Sequence, residues 1–312
     1  EVMSFLIRQT LIYAIPLMIV ALAGIFAERS GVINLALEGI MIFGAFIGVL
    51  FVRILQATGC MDIAKEASNW AALQGYMFLT MLAAAALGAL FSMLLAFAAI
   101  KLKADQTIGG TALNMLAPAL VLFLIRVIVN QNNMTLISGD SATWFMIKKT
   151  MLGFAKNDKL NFFQETFLNK VYLSTYICII IFIVLSIVLY KTRFGLRLRA
   201  CGEHPQAADS VGINVYKMRY IGVLISGVLG GIGGMAYIIP SVSSWNFEVG
   251  VSGAGFLALA VMIFGQWKPF RIFLAAVFFA LFKSLANIAS SIPFLAELGW
   301  TQNMYNMIPV SY

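Results

Sequence analysis

Apolar stretches long enough to cross a bilayer recur along this chain, at about 5–27, 31–55, 76–100, 107–129, 171–190, 218–240, 253–267 and 270–289. Backbone amides have no water to bond with in lipid, so such stretches must satisfy their own hydrogen bonds as helices. The pattern predicts an all-α polytopic membrane protein of about eight to ten transmembrane helices, some of them broken or re-entrant. Composition excludes the soluble alternative: 61% hydrophobic against 11% charged residues leaves too little polar surface to cover a globule of 312 residues. The run at 5–27 could pass for a signal peptide with Ala21-Leu-Ala23 as its cleavage site, but the spans that follow favour an uncleaved first helix.

The net charge of +8 is concentrated in loops. Lys191, Arg193, Arg197, Arg199, Lys217 and Arg219 fall in a Gly- and Pro-punctuated loop at 191–219, and a Lys-Leu-Lys occupies 101–103. Both belong on the cytoplasmic side by the positive-inside rule, which puts 56–75 and the aromatic-rich 130–170 outside. No basic stripe with interleaved aromatics points to nucleic acid. Helix parity then offers two arrangements. A full span at 31–55 leaves the N-terminus outside, a broken one leaves it inside, and Gly31, Asn34 and Glu38-Gly39 favour the broken segment as a candidate translocation path.

Cys60, Cys178 and Cys201 form no redox or zinc pattern, His204 is the only histidine, and no nucleophile–base set marks a catalytic site or resident metal. The Gly-Gly-Ile-Gly-Gly at 230–234 sits inside an apolar run, and no phosphate-loop motif occurs, so the chain does not hydrolyse ATP by itself. Small residues at Ala84, Gly88, Ser92 and Ala96, and at Gly222, Ser226, Gly230 and Gly234, predict ridges for close helix packing. Met41-Ile-Phe-Gly44 and Met262-Ile-Phe-Gly265 echo one another and suggest two related halves. Glu38, Arg126 and Lys283 lie in or near spans and should face protein or water, and Asn114, four residues before Pro118, could relieve a kink.

Three stretches carry a family resemblance: AERSGVINLALEGIMIFGAFIG at 27–48, RACGEHPQAADSVGIN at 199–214 and GAGFLALAVMIFGQWKP at 253–269. With Lys103-Ala-Asp-Gln106 and Gly110-Thr-Ala-Leu-Asn114, the chain resembles ABC importer permeases of the branched-chain amino-acid and ribose type, nucleoside branch. The resemblance implies one permease domain over 1–312 in two pseudo-repeated, type II importer-like halves, about 1–190 and 220–312, joined by the cytoplasmic coupling loop 191–219. It implies a bacterial inner-membrane importer, most simply of nucleosides, with riboflavin, a sugar or a branched-chain amino acid as alternatives. A secondary transporter or channel is more distant. Its partners would be a second, related permease subunit, a cytoplasmic ABC ATPase holding the ATP and magnesium, and an extracytoplasmic substrate-binding lipoprotein; this chain would carry no cofactor. Gly202, Glu203, Pro205, Ala207, Ala208 and Gly212 would couple to the ATPase. Asn34, Glu38, Asn114, Asn246, Phe247, Glu248 and Phe256 would line the substrate path. The family's last helix is not found after Met307-Ile-Pro, which suggests missing residues at the end, as Glu1 does at the start.

Overall fold

The computed structural model describes residues 2–135, 144–153, 161–240, 244–246 and 250–288. Among these, seven helices are long and apolar enough to cross a membrane. They are α1 (Val2–Arg29), α2 (Leu37–Ala57), α4 (Trp70–Ala96, continued by a π-turn to Lys101), α5 (Gln106–Val129), α7 (Leu173–Lys191), α10 (Val215–Ile238) and α12 (Pro269–Ile288). The short helices are α3 (Cys60–Glu66), α6 (Phe162–Leu168), α8 (Arg193–Glu203), α9 (Pro205–Ser210) and α11 (Ala254–Phe264). Local chemistry sets many starts. Asp105 accepts from Thr107 and Ile108 N–H at α5, Asn214 from Lys217 N–H at α10, Asn161 and Gln164 form a capping box at α6, and Pro205 opens α9.

The core is organised around α10, which packs against α4, α1 and α2. Two glycine rows on α10 make this possible. Gly227 and Gly231 face α4, where a Cβ on Gly231 would stand 2.3 Å from the Ala84 carbonyl oxygen. Gly230 and Gly234 face α2, where a Cβ on Gly234 would stand 2.1 Å from the Met41 oxygen. Backbones this close admit no side chain, and tight dispersion contacts replace the hydrophobic force that lipid cannot supply between helices. The expected row of small residues is therefore real, but α4 meets a second row that a single four-residue repeat leaves out.

One face holds α8, α9 and the Lys101–Gln106 turn. The opposite face holds α3, α6 and two short antiparallel pairings, Asn133–Thr135 (β1) with Ser244–Asn246 (β4) and Met146–Ile147 (β2) with Val171–Tyr172 (β3). Loops 56–75 and 130–170 meet on that face: Lys65 lies 3.8 Å from the Trp144 ring centroid, Lys148 lies 5.8 Å from that of Trp70, and Gln74 donates to the Phe145 carbonyl. The grouping agrees with the sidedness read from the loop charges.

The N-terminus is placed differently from the expectation. Arg8 near the start of α1 donates to the Asn169 carbonyl at 3.3 Å, whereas Arg29 at its end pairs with Glu203 at 3.5 Å. The start of α1 thus lies on the face opposite the basic loop. Residues 30–36 are indeed non-helical, but α2 then continues for 21 residues to the far side instead of turning back. Helix interruption and full crossing coexist in this segment, and the polar residues that betray the first carry no information about the second. The run at 253–267 also differs. It yields the 11-residue α11, which at 1.5 Å per residue is about 16 Å long and crosses only part of a bilayer.

A candidate translocation site between two helix starts

The chain leaves α1 by a helix-ending turn in which Gly31 adopts φ +95°, its N–H bonds to Glu28 O and the Val32 N–H reaches Ala27 O. Residues 32–36 then climb beside α10 without helical bonds. Leu37, where α2 begins, packs near Gly230, fifteen residues into α10 and so about 22 Å from that helix's start on the basic face. Exposed amides at this depth would each cost several kcal/mol in lipid. Side-chain amides satisfy them. Gln106 accepts from Ile33 N–H at 2.7 Å and reaches toward Gly31 O, Asn34 accepts from Ala36 N–H at 3.1 Å, and Asn114 donates to Leu35 O at 2.8 Å while accepting from Gly39 N–H at 2.9 Å. The Asn34 amide also donates to Ser226 Oγ on α10 at 2.8 Å.

Glu38 sits in the first turn of α2 and is 9% exposed. Its carboxylate crosses to the N-terminus of α11, accepting from Gly253 N–H at 3.0 Å and Gly255 N–H at 2.6 Å. An anion on a helix N-terminus satisfies orphan N–H groups and meets the positive end of the helix dipole. The fit depends on glycine, because a Cβ on Gly255 would stand 2.5 Å from Glu38 Cα. The spanning helix α2 and the short helix α11 therefore start at one level inside the protein, bridged by one carboxylate. Interrupted helices whose termini meet at depth are a known way of building solute sites in membranes.

Of the path residues named from the sequence, Asn34, Glu38 and Asn114 converge here, each with its polar atoms engaged by backbone or Ser226. Phe256, in the first turn of α11, is 54% exposed. Asn246 lies in β4, paired with Asn133 on the far face, and Phe247 and Glu248 lie outside the described residues. The Asn114 side chain goes to the start of α2 and not to the backbone freed by Pro118. The tetrads Met41–Gly44 and Met262–Gly265 fall in different settings: Gly44 packs on Gly231 within α2, whereas Gly265 caps the end of α11 against Ile272.

A further cluster was not visible in the sequence. Lys283 donates to the Tyr237 hydroxyl and stands 4.9 and 4.6 Å from the ring centroids of Tyr13 and Tyr237, and Asn287 donates to the Tyr13 hydroxyl at 2.9 Å. It joins α12 to α1 and α10 by cation–π and hydrogen-bond contacts. Tyrosines in apolar runs read as interfacial anchors, and nothing in their spacing pairs them with a lysine.

On the basic face, Gly202 at the end of α8 packs directly on the end of α1, where a Cβ would stand 2.3 Å from Arg29 O and 3.2 Å from Gly31 N. Glu203 pairs with Arg29, Trp267 donates to Glu28 at 2.9 Å, and the Tyr190 hydroxyl donates to the Trp267 carbonyl. Pro205 starts α9, Ala208 is its buried side, Ala207 is exposed, and Gly212 ends it with φ +82°. Of the six residues expected to couple, Gly202 and Glu203 meet the end of α1, and Pro205, Ala207, Ala208 and Gly212 follow on α9 and its end.

A mostly apolar bundle of seven membrane-length helices, with an amide-lined helix interruption and its basic loop gathered on one face, defines a multi-pass membrane permease. More narrowly, residues 6–309 match the family model described as branched-chain amino acid transport system / permease component, and the chain belongs to that family. It is 41% identical over 299 residues to the guanosine ABC transporter permease protein NupQ of Bacillus subtilis, covering 96% of this chain and 86% of that one. It is 39% identical over 300 residues to the nucleoside ABC transporter permease protein NupC of Lactococcus lactis, covering 95% and 86%. A putative glucose ABC transporter permease protein, TsgC13 of Haloferax volcanii, is 29% identical over 91% of this chain and 78% of its own length. No solved structure matches.

Proposed function

We propose that this chain is the permease subunit of an ATP-driven ABC importer of nucleosides. The observation that carries the substrate class is the identity of 41% and 39%, over 96% and 95% of the chain, to relatives named for guanosine and nucleoside transport. In this reading a cytoplasmic ATPase grips α9, and its movement passes through Gly202 and the Arg29–Glu203 pair into residues 30–36. That segment is tied to α10 by Asn34 and to α5 by Asn114, and Glu38 ties the start of α2 to α11. Shifting it would open or close the space between the two helix starts. Asn34, Glu38 and Asn114 act as positioning residues for that space, and Phe256 offers a ring face to a base. The partner permease is a related chain, a pairing supported by the two differently named nucleoside permeases of Lactococcus lactis, NupC and NupB. A substrate-binding lipoprotein would dock on the face formed by α3 and α6, where Ile63 and Phe163 are 68% and 73% exposed.

The test is uptake of labelled guanosine, inosine and adenosine by cells carrying the full transporter, with and without its ATPase, against excess ribose, glucose, riboflavin or leucine. ATPase-dependent uptake competed only by nucleosides is the expected result. Uptake of a competitor in place of nucleosides would replace the substrate, and uptake indifferent to the ATPase would overturn the ATP-driven reading.

A further inference from the structure

On the outside of the bundle, α1, α7 and α12 leave an open groove of about 400 Å³ between them. Leu11 and Met18 of α1, Ile183 and Ile187 of α7, and Phe270 and Phe273 of α12 line it. Its one polar side chain, Ser186, already donates its hydroxyl to the Phe182 carbonyl at 2.6 Å, so the walls offer little to a water-soluble ligand. Along α7 the groove runs from Ile179 to Ile187, about 12 Å at 1.5 Å per residue. It ends one turn before Lys191, which shares a helix face with Ile183 and Ile187, and beside Lys268, which directly precedes Pro269 at the start of α12. Tyr190 fastens the two sides of this mouth: its hydroxyl donates to the Trp267 carbonyl, and the Arg199 guanidinium lies 5.3 Å from its ring centroid. Lys191, Lys268 and Arg199 make no ion pair among the described residues. Glu28, the carboxylate bonded to this turn, accepts from the Trp267 indole at 2.9 Å, so three cations against one carboxylate leave the mouth at +2.

We propose that this groove holds an acyl chain of one anionic phospholipid from the cytoplasmic leaflet, with its phosphate between Lys191 and Lys268. An apolar groove without a cationic mouth would take any lipid, and cations without a groove would only attract the leaflet as a whole. Here the apolar walls end at the cations, on the side of the membrane where anionic lipids supply the surface charge. The end of α7 leads directly into α8, so a lipid bridging α7 and α12 would brace the base from which the coupling loop starts. The site depends on the sidedness of the basic face and not on which solute is carried.

The test is native mass spectrometry of the purified permease, alone and assembled with its partner permease and ATPase, released from nanodiscs containing equal amounts of dioleoylphosphatidylglycerol and dioleoylphosphatidylcholine. We expect one phosphatidylglycerol retained per chain in preference to phosphatidylcholine. In a lipid titration, Lys191→Gln combined with Lys268→Gln should weaken its binding about thirtyfold, the product of two lysine–lipid attractions. Ile183→Trp, at an exposed position, fills the groove while leaving every charge in place and should also abolish retention; unfolding temperatures check both variants. Equal retention of the two lipids, or phosphatidylglycerol retention unchanged in either variant, overturns the proposal. So does displacement by glycerol 3-phosphate, which would reduce the mouth to a site for a free phosphate, or loss of the lipid on assembly, which would give the groove to a protein helix. Because lipid retention is read without transport, its failure leaves the import reading intact.

Discussion

At the scale of single residues, Glu38 is the side chain on which most depends, because its two oxygens hold two N–H groups of another helix. Glu38→Ala leaves both unsatisfied, and we expect a loss of about 2 to 4 kcal/mol in unfolding free energy, read by thermal melts in detergent. Glu38→Gln keeps one acceptor but turns an amide N–H₂ toward the other donor, so a smaller loss with strongly reduced uptake is expected. Glu203 behaves differently. Its own side chain is exposed while Arg29 is half-buried, so solvent still screens the pair, which adds no more than about 1 kcal/mol. Glu203→Lys should therefore fold and insert normally while ATPase-driven uptake fails; retained uptake would remove Glu203 from the coupling patch. Burial pushes the Cys201 thiol above its ordinary range, against the opposing pull of Arg219. The thiol is also fully buried, so maleimide should leave Cys201 unmodified in the folded protein at neutral pH and react with it only once denaturant opens the structure. Asn34, Glu38 and Asn114 were legible because polar groups in apolar runs demand partners. Those partners were not, since Ser226, Gly253 and Gly255 lie 192 to 217 positions from Asn34 and Glu38, Leu35 and Gly39 lie 79 and 75 from Asn114, and all but Ser226 bond through backbone that every residue possesses.

At the scale of elements, close backbone approach governs how α10 sits between α4 and α2. A methyl group at Gly231 meets the Ala84 carbonyl and one at Gly44 meets the Gly231 backbone, and backbone cannot yield as a flexible side chain can. Gly231→Ala and Gly44→Ala should each cost about 1 to 3 kcal/mol of overpacking, with lowered unfolding temperatures. Gly75→Ala is the control: nothing lies within 4 Å of the added carbon, the position is helical, and a neutral or slightly stabilising effect is expected. The small-residue rows were readable in advance as packing surfaces. Their assignment was incomplete because α10 is buried on several sides, so a ridge counted every fourth residue describes only one of its neighbours. Length misled in the opposite direction at α11, where apolar content alone could not tell a half-helix from a span; the break lies at Gly250 and Gly253, both with positive φ.

At the scale of the whole molecule, the basic loops correctly grouped the faces, whereas helix parity did not follow, because an interrupted helix still counts as a crossing when it runs on to the other side. The arrangement makes a topological claim that labelling can check. If α1 runs from the face of Asn169 to the face of Glu203, then the N-terminus, Cys60 on α3 and the α6 region share one side, and α8 and α9 share the other. In intact cells an impermeant maleimide should modify Cys60 in a variant lacking the other two cysteines, and a single cysteine introduced at Ser4 only where its buried side chain becomes accessible. A more exposed reporter at Met3, 60% exposed, is therefore the better N-terminal probe. A cysteine at exposed Val211, just past α9, should react only after permeabilisation. Labelling of Met3→Cys together with Val211→Cys on the inside would restore the broken-segment topology and would require α1 to be inverted. Its interlocked ends argue against that, since inversion would separate Arg29 from Glu203 and Gly31 from Gly202 at once.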